Sequence, residues 1–530
     1  NGDTAGGITG KVCGNSVIRN CYSSVSVSGS SNAGGVAGLI ESGSVESCYA
    51  MGKVEGSIAG GVAGKIENGK VENCSALNFN IAASSVVARV VGDNQGTLSN
   101  NAAFTYMTVT INNNPKLPTD EANGVDGQNI DANGIKADKT IGGRFAPEGG
   151  WTTETGKLPG LFGKAVDIPA YIEDKTDPYF IAQGTENEPF LIATAQQLKK
   201  LADMVSAGDT KYNSAQYKLA ADIDLSEYST GEGWTPIGTG GNPFKGTFDG
   251  NNKRITGLRI NRDTHRLGLF GYIDGGTVRN VGVIDVHIYG SDNIGAVAGY
   301  VDNNGKVENC YSSGSVSANY TAGGLVGSVY NSSIVQNCYS TANVKSNYNV
   351  AGGIAGWATY NSMVRNCYSS GDVRGNSVVG GVVGVLRYNS RVEYCYSTGS
   401  VSGNGEAGGV VGKIAYFGAV ENCAALNSFV SGKSNVGRVV GVYDTVNLSD
   451  NIAFSGLKVL LNGSDKTMDE GHDKVDGKSA TTSEIKAVDF FEMLFENNAA
   501  WEYGEGRLPA LQGLQGQDSA IPFHINGFEG

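Results

Sequence analysis

The feature that most constrains this chain is a short period: a Gly-Gly-apolar-apolar-Gly segment recurs, followed ten or eleven residues later by Asn-Cys-Tyr-Ser or a close variant. The glycine that closes the segment falls at Gly10, Gly38, Gly64 and Gly92, and again at Gly271, Gly299, Gly327, Gly356, Gly384, Gly412 and Gly441. Within each group the steps are 26 to 29 residues. Self-similarity at this spacing marks a stacked-repeat architecture, in which one unit cannot bury its apolar face and its neighbours supply the missing layer. About 28 residues accommodate three short strands and three bends, one turn of a parallel β-helix. The expected fold is therefore all-β, a parallel β-helix (β-solenoid) with short helical caps. In each coil Ile354-Ala355 or Val410-Val411 supplies one buried strand, Val364 or Val420 with the Cys a second, and Val373 or Val401 a third. The Gly-Gly pair marks a corner where a Cβ would obstruct a bend or a close backbone approach.

Composition agrees. Seventy-nine glycines against eleven prolines, with 17% charged residues, suit short strands and tight turns, and glycine lacks the strict three-residue period of collagen. At 530 residues the chain exceeds one ordinary core. The net charge of −13 argues against nucleic acid or anionic lipid as a partner, since both need a clustered basic face. No apolar run approaches the roughly eighteen residues that cross a bilayer, so membrane insertion of this segment is not expected. The first ten residues lack a basic-then-apolar signal pattern. The sequence opens inside a repeat and reads as part of a longer chain with further modules.

A second period lies above the first. Arg89-Val90-Val91-Gly92 matches Arg438-Val439-Val440-Gly441, Val125-Asp126-Gly127 matches Val475-Asp476-Gly477, and Lys157-Leu158-Pro159 matches Arg507-Leu508-Pro509, at offsets of 349 to 350. Residues 1–170 are expected to be the C-terminal part of one module with its end cap, and 171–530 a complete second module. The latter comprises a cap and lead-in (171–270), repeat coils (271–445) and a C-terminal cap (446–530). Thr194, Gln197 and the apolar spacing of Leu198, Leu201, Ala202 and Val205 predict a capped helix ended by Gly208 and covering the first coil. Phe248-Asp249-Gly250-Asn251 reads as a hairpin turn. Ser483 to Phe495 reads as a helix over the far edge, and Asn133 to Phe145 as a weaker counterpart.

Gly323-Gly324-Leu325-Val326-Gly327 with Val335-Gln336-Asn337-Cys338-Tyr339-Ser340-Thr341 resembles the GLUG repeat of bacterial surface and adhesin-like proteins. The lead-in also looks like the start of such modules, through Asp222-Ile223-Asp224-Leu225, Trp234-Thr235-Pro236-Ile237-Gly238 and Gly268-Leu269-Phe270-Gly271. The resemblance implies export to the bacterial cell surface and an adhesin-like or stalk role toward a host or matrix glycan or protein. The repeat also occurs in IgA-cleaving metallopeptidases, which need a His-Glu-x-x-His zinc motif. His265, His287, His472 and His524 do not form one. The expectation is no enzyme, with a passive spacer and a carbohydrate-active β-helix enzyme as alternatives.

The repeat's own side chains are the candidates for ladders and sites. Cys21, Cys48, Cys74, Cys310, Cys338, Cys367, Cys395 and Cys423 share one position. Parallel stacking at about 4.8 Å favours buried free thiols over disulfides, which want converging Cβ atoms about 3.8 Å apart. Without Cys-x-x-Cys or Cys/His clusters a metal is not expected. Asn309, Asn337, Asn366 and Asn422 precede the Cys and suggest an internal amide ladder. Tyr22, Tyr49, Tyr311, Tyr339, Tyr368 and Tyr396 follow it and are expected to point outward. Tyr360, Tyr388 and Tyr416, with Tyr330 one place out of register, form a second column, read either as ladder stacking that stabilises neighbouring coils and shields the sheet face or as a flat aromatic strip that is the candidate ligand surface. Asp222 and Asp224 are read as turn residues, and Glu308, Glu393 and Glu421, interrupted by Gln336 and Arg365, as a solvated strand face. No cofactor is expected. A structural calcium near Asp120, Glu121, Asp126, Asp131 and Asp138 is the alternative to a loop shaped by Asx turns.

Overall fold

The structure, a computed structural model, describes residues 2–112, 114–116, 118–173, 180, 184–444 and 446–527. It forms two compact units, Asn1–Leu191 and Ile192–Gly530. Both are parallel β-solenoids.

In the first unit, Thr9–Val12, Ala37–Ile40, Ala63–Ile66 and Val91–Asn94 build one parallel sheet, with Ala63 in register with Ala37 on one side and Val91 on the other. In the second, Phe270–Asp274, Ala298–Asp302, Val326–Val329, Ala355–Ala358, Val383–Arg387, Val411–Ala415 and Val440–Tyr443 make a seven-stranded parallel sheet. A further seven-stranded sheet runs from His265–Leu267 to Val436–Gly437, and the third side is a ladder of short strands that carries the cysteines. Each coil hands its main-chain donors to the next: the amides of Ile354 and Val382 donate to the carbonyls of Val382 and Val410, both at 2.8 Å.

The repeat's glycines are explained by that stacking. A Cβ on Gly353 would lie 2.1 Å from the Gly381 carbonyl oxygen and 2.2 Å from Ser369 Oγ; on Gly352 it would lie 2.0 Å from the Ala355 carbonyl oxygen. Neither glycine has positive φ. Close approach requires them, to the next coil at Gly353 and across the corner of its own coil at Gly352, rather than a left-handed backbone.

The lead-in helix spans Ala195–Ser206, with Thr194 accepting from the Gln197 amide and Ala195, Leu198, Leu201, Ala202 and Val205 on its buried face. Two other expectations fail. Phe248 to Asn251 is not a hairpin: Thr247–Thr256 is one strand, parallel to Thr277–Gly290, with a register shift between Asp249 and Lys253 and with Asn251 and Asn252 at φ 51° and 58°. The chain keeps its direction because both halves pair with the following coil, so the turn signal became a bulge.

The C-terminal cap also lies elsewhere than expected. Its helices, Thr482–Lys486 and Val488–Leu494, break at Ala487, which is extended at ψ 132°. The short antiparallel strand Ser464–Asp465 covers Lys458–Leu461 near the end of the solenoid. The segment beyond residue 480 instead runs along the flank of the coils. The first unit's counterpart helix is only Ala132–Ala137.

Gly353→Ala should cost about 1–3 kcal/mol through overpacking, whereas Gly241→Ala, with nothing within 4 Å of its Cβ, should be near neutral. Chemical denaturation of the two variants checks the contrast; equal effects would contradict the close-approach explanation.

Candidate functional site

All four letters of Asn-Cys-Tyr-Ser have separate tasks in the strands Ile334–Ser340 and Met363–Ser369, where Cys338 faces Cys367, Tyr339 faces Tyr368 and Ser340 faces Ser369.

The asparagines turn the corner. Asn309, Asn337, Asn366 and Asn422 have φ of 50° to 53°, a left-handed conformation that Asn tolerates better than most residues. Asn309 donates to Asn280 at 3.0 Å, Asn337 to Asn309 at 3.2 Å and Asn366 to Asn337 at 3.0 Å. Asn498 of the C-terminal segment then donates to Asn366 at 2.8 Å, and Asn422 donates to the Leu494 carbonyl at 2.8 Å. The amide ladder is thus on the outer corner rather than internal. Left-handed backbone turns the side chain away from the core, and only Asn366 among the four is buried.

The cysteines point inward. All nine in the chain are free; of the eight repeat positions, Cys21 is half-buried and the other seven are buried. Each repeat sulfhydryl donates to the carbonyl two residues earlier at 3.0 to 3.2 Å. The amides of Cys48 and Cys310 donate to the sulfur of the next coil's Cys at 3.4 Å. Burial, with bonding to neighbouring thiols, pushes Cys338 and Cys395 well above the usual thiol range. The ladder ends in an amide in both units. Asn101 and Asn451 accept from the Cys74 and Cys423 amides at 2.9 and 3.0 Å, and donate to Val71 and Val420.

The serines point inward too. Ser312 donates to the Gly324 carbonyl at 2.9 Å and lies 3.0 Å from the Ser340 hydroxyl, from which it accepts, joining the motif's end to the next Gly-Gly corner.

The tyrosines face away from the cysteines but are not at the surface, contrary to expectation. Tyr311, Tyr339, Tyr368 and Tyr396 stack at 4.9 to 5.0 Å with nearly parallel rings, and the C-terminal segment covers them. Trp501 packs on Tyr368 and Tyr396, and the Pro509 and Gln515 carbonyls accept from the hydroxyls of Tyr396 and Tyr339 at 2.7 and 2.6 Å. The first unit repeats the arrangement: Tyr49 stacks on Tyr22, packs against Phe145 and Trp151, and donates to Pro159 at 2.6 Å. This outward aromatic column offers an apolar face on which the C-terminal segment docks.

A second unforeseen pair anchors the ends. Buried Arg89 and Arg438 each donate a backbone amide to a buried carboxylate, Asp126 and Asp476, at 2.9 Å. Asp126 also accepts from the Thr119 amide, and Asp476 from Lys466 and the Asp469 amide. These oxygens serve amide and ammonium donors, so the acidic loop considered for calcium is organised around Asp126 and Arg89. Burial lowers Arg89 to about 10 and Arg438 in the same direction. Among the described residues no group of three or more His, Cys, Asp or Glu could hold a metal ion. The signal was present in the conserved offset of Arg-Val-Val-Gly and Val-Asp-Gly, and Trp151 and Trp501 are likewise 350 apart.

Of the expected strand-face acids, Glu308 accepts from Gln336 at 2.7 Å, Gln336 accepts from Arg365, and Arg391 bridges Glu393 and Glu421. Asp222 and Asp224 accept from the Arg254 and Ser226 amides.

The second tyrosine column remains at the surface. Tyr360, Tyr388 and Tyr416 stack at 4.6 and 4.7 Å with interplanar angles of 6° and 3°. Tyr330 is one place out of register in sequence, yet its ring lies 6.0 Å from Tyr360 and 4.9 Å from Tyr300. The strip is not flat. Stacked rings cover one another's faces and present edges and hydroxyls outward. Tyr360, Tyr388 and Tyr416 have φ of 51° to 56°, at the turn position where earlier coils place Asn303 and Asn331. A bulky residue there is strained by about 1–3 kcal/mol, so the turn alone does not call for tyrosine.

The GLUG motif family model matches residues 290–317, 318–345, 347–374 and 375–402. These four coils are GLUG repeats. Among curated proteins, a Gly-rich membrane protein of Evansella cellulosilytica is 40% identical over 110 residues, which cover 20% of this chain and 12% of that protein. Halomucin of Haloquadratum walsbyi is 33% identical over 130 residues, 23% of this chain and 1% of halomucin. The chain therefore spans a small part of the relatives it matches. Among solved structures, a chain described as an immunoglobulin A1 protease from Bacteroides ovatus aligns with a TM-score of 0.47 at 24% identity, over 63% of this chain and 94% of that one. An IgA1 protease aligns at 0.43 and 15%, over 68% and 27%.

Burial raises the Tyr49, Tyr339, Tyr368 and Tyr396 hydroxyls above the ordinary tyrosine range. The neutral form is favoured in the folded state, so their stability contribution is complete below the unfolded value of about 10 and is lost as pH rises beyond it. Tyrosinate absorbance should thus show one fraction titrating near pH 10 and another only with loss of near-ultraviolet dichroism. A single transition near 10 in the folded protein would contradict the covered column.

Proposed function

We propose that this chain is a stiff segment of an exported, extracellular protein of the bacterial cell surface, presenting a GLUG-coil surface to a host or matrix glycan or protein. The observation that carries this adhesin-like reading is the column of exposed Tyr360 and Tyr416 with half-buried Tyr388 between them, placed where the backbone would be less strained with Asn. Repetition supplies multivalency: one contact chemistry recurs at each coil, so weak contacts add without new surfaces. The names of the two curated relatives, a membrane protein and a halomucin, agree with a surface setting.

A passive spacer is the second reading. It is favoured by the mutual covering of the ring faces, which leaves edges and hydroxyls for a ligand. Catalysis is not assigned. His265 and His287 are exposed on strands, His287 beside its own Asp285 carbonyl, and His524 meets the Leu426 carbonyl at 2.8 Å.

Replacing Tyr360, Tyr388 and Tyr416 together by Asn, which suits the left-handed turn, separates the two readings. The adhesin reading expects at least a tenfold loss of binding to host or matrix material with melting behaviour kept. Unchanged binding would leave the spacer.

A further inference from the structure

At the start of the second unit's coils, the lead-in segment and the strands His265–Leu267 and Asp292–Ile294 form a pocket of about 690 Å³ whose lining includes Thr235, Gly240, Arg262, Arg266, Asp292 and Asn293. Two arginines meet there, and only one is engaged by the protein's acceptors. Arg262 donates to Glu232 at 2.8 Å, to the Gly233 carbonyl at 3.0 Å and to Thr235 at 3.2 Å. The half-buried Arg266 guanidinium rests instead in the notch between Tyr272 and Tyr300, 5.0 Å from each ring centroid, with the two rings at 89° to each other. Among the described residues it has no hydrogen-bond acceptor and no ion-pair partner. Two ring faces stabilise its charge but take up none of its in-plane N–H donors. A Cβ on Gly240 would lie 2.3 Å from Arg266 Nη1, so bare glycine backbone closes on the guanidinium, and the exposed Gly240 amide is also without a partner among the described residues. Arg266 has a φ of 60°, and Asn293, opposite it in the next coil, has a φ of 59°. Asn suits that left-handed conformation, whereas a long side chain there is strained by about 1–3 kcal/mol. The turn does not call for arginine.

We infer that this pocket binds a single carboxylate group through the Arg266 guanidinium and the Gly240 amide. A guanidinium is planar, always charged and presents paired N–H donors that match two oxygens of one anion. The rings behind Arg266 and the glycine beside it hold the fork in place before a ligand arrives, so little side-chain freedom is lost on binding. One unengaged cation matches one negative charge. Asp292 lines the same pocket, with the Asn293 amide and side chain donating to its two oxygens at 3.0 Å, and Glu232 stands against Arg262; these carboxylates oppose a dianion such as phosphate. The volume falls within the 300–1,000 Å³ usual for ligand clefts and exceeds one carboxylate, so the group arrives on a larger small molecule. A sugar acid and the C-terminal end of a short peptide both carry it, and matched probes separate these sources. The site shares no residue with Tyr360, Tyr388 and Tyr416, so it stands or falls apart from the adhesin-like reading.

Ligand-observed saturation-transfer NMR on the full chain, at about pH 7.5 where histidine is neutral, compares two matched pairs: glucuronate with glucose, and acetyl-alanine with its amide, each with inorganic phosphate as competitor. Saturable binding of at least one carboxylate, with no binding of its neutral partner and only weak displacement by phosphate, is expected. The pair that responds names the source. Arg266→Asn places the residue that the turn favours, so melting behaviour should be kept while affinity falls tenfold or more. Gly240→Ala, whose Cβ displaces the fork, should also weaken binding, and the triple tyrosine variant should retain it. Neutral partners binding as well as the acids, phosphate binding more tightly than either acid, no binding of either acid, or full affinity in Arg266→Asn overturns the inference.

Discussion

Everything in this molecule depends on one constraint: each coil's main-chain donors and acceptors are satisfied by the next coil in strict parallel register. Register fixes like on like, so any side chain retained at one repeat position becomes a ladder. Cysteine and serine line the interior, asparagine the corner and tyrosine the flank, because successive residues of a strand point to opposite sides. The glycines permit the approach, and the ladders follow from it.

A ladder must also end and be covered. Internal thiols end at Asn101 and Asn451, whose amides satisfy the last cysteine and a valine carbonyl. The flank tyrosines are closed laterally by a segment from the same unit, through Trp151 and Pro159 in the first and Trp501 and Pro509 in the second. That covering does not extend to the second tyrosine column, where Tyr360 and Tyr416 stay open to solvent, as do Tyr320 and Tyr348 elsewhere on the coils.

The fold was legible because its period was written in the glycines and cysteines, which identify coil and phase without any helix or strand propensity. The inward cysteine was legible for the same reason. What could not be read was where non-repeating chain lies. Trp501, Asn498 and Pro509 act on coils more than a hundred residues earlier, and no local pattern announces that. The hairpin expected at Phe248 failed because parallel stacking overrode a local turn signal. Ring stacking also changed the meaning of the tyrosine column, since spacing alone does not say which part of a ring meets solvent.

The central claim, register stacking of one coil per step, is tested most directly by a distance along the stack. Thr277, Lys306, Ile334, Met363 and Arg391 occupy one register position in successive coils. Spin labels at Thr277 and Arg391, in a Cys13→Ser background that removes the exposed thiol, are separated by four steps. A narrow distribution centred at about 19 Å is predicted by pulsed dipolar spectroscopy. A broad distribution, or one centred beyond about 30 Å, would contradict the stacked coil on which the rest of this account depends.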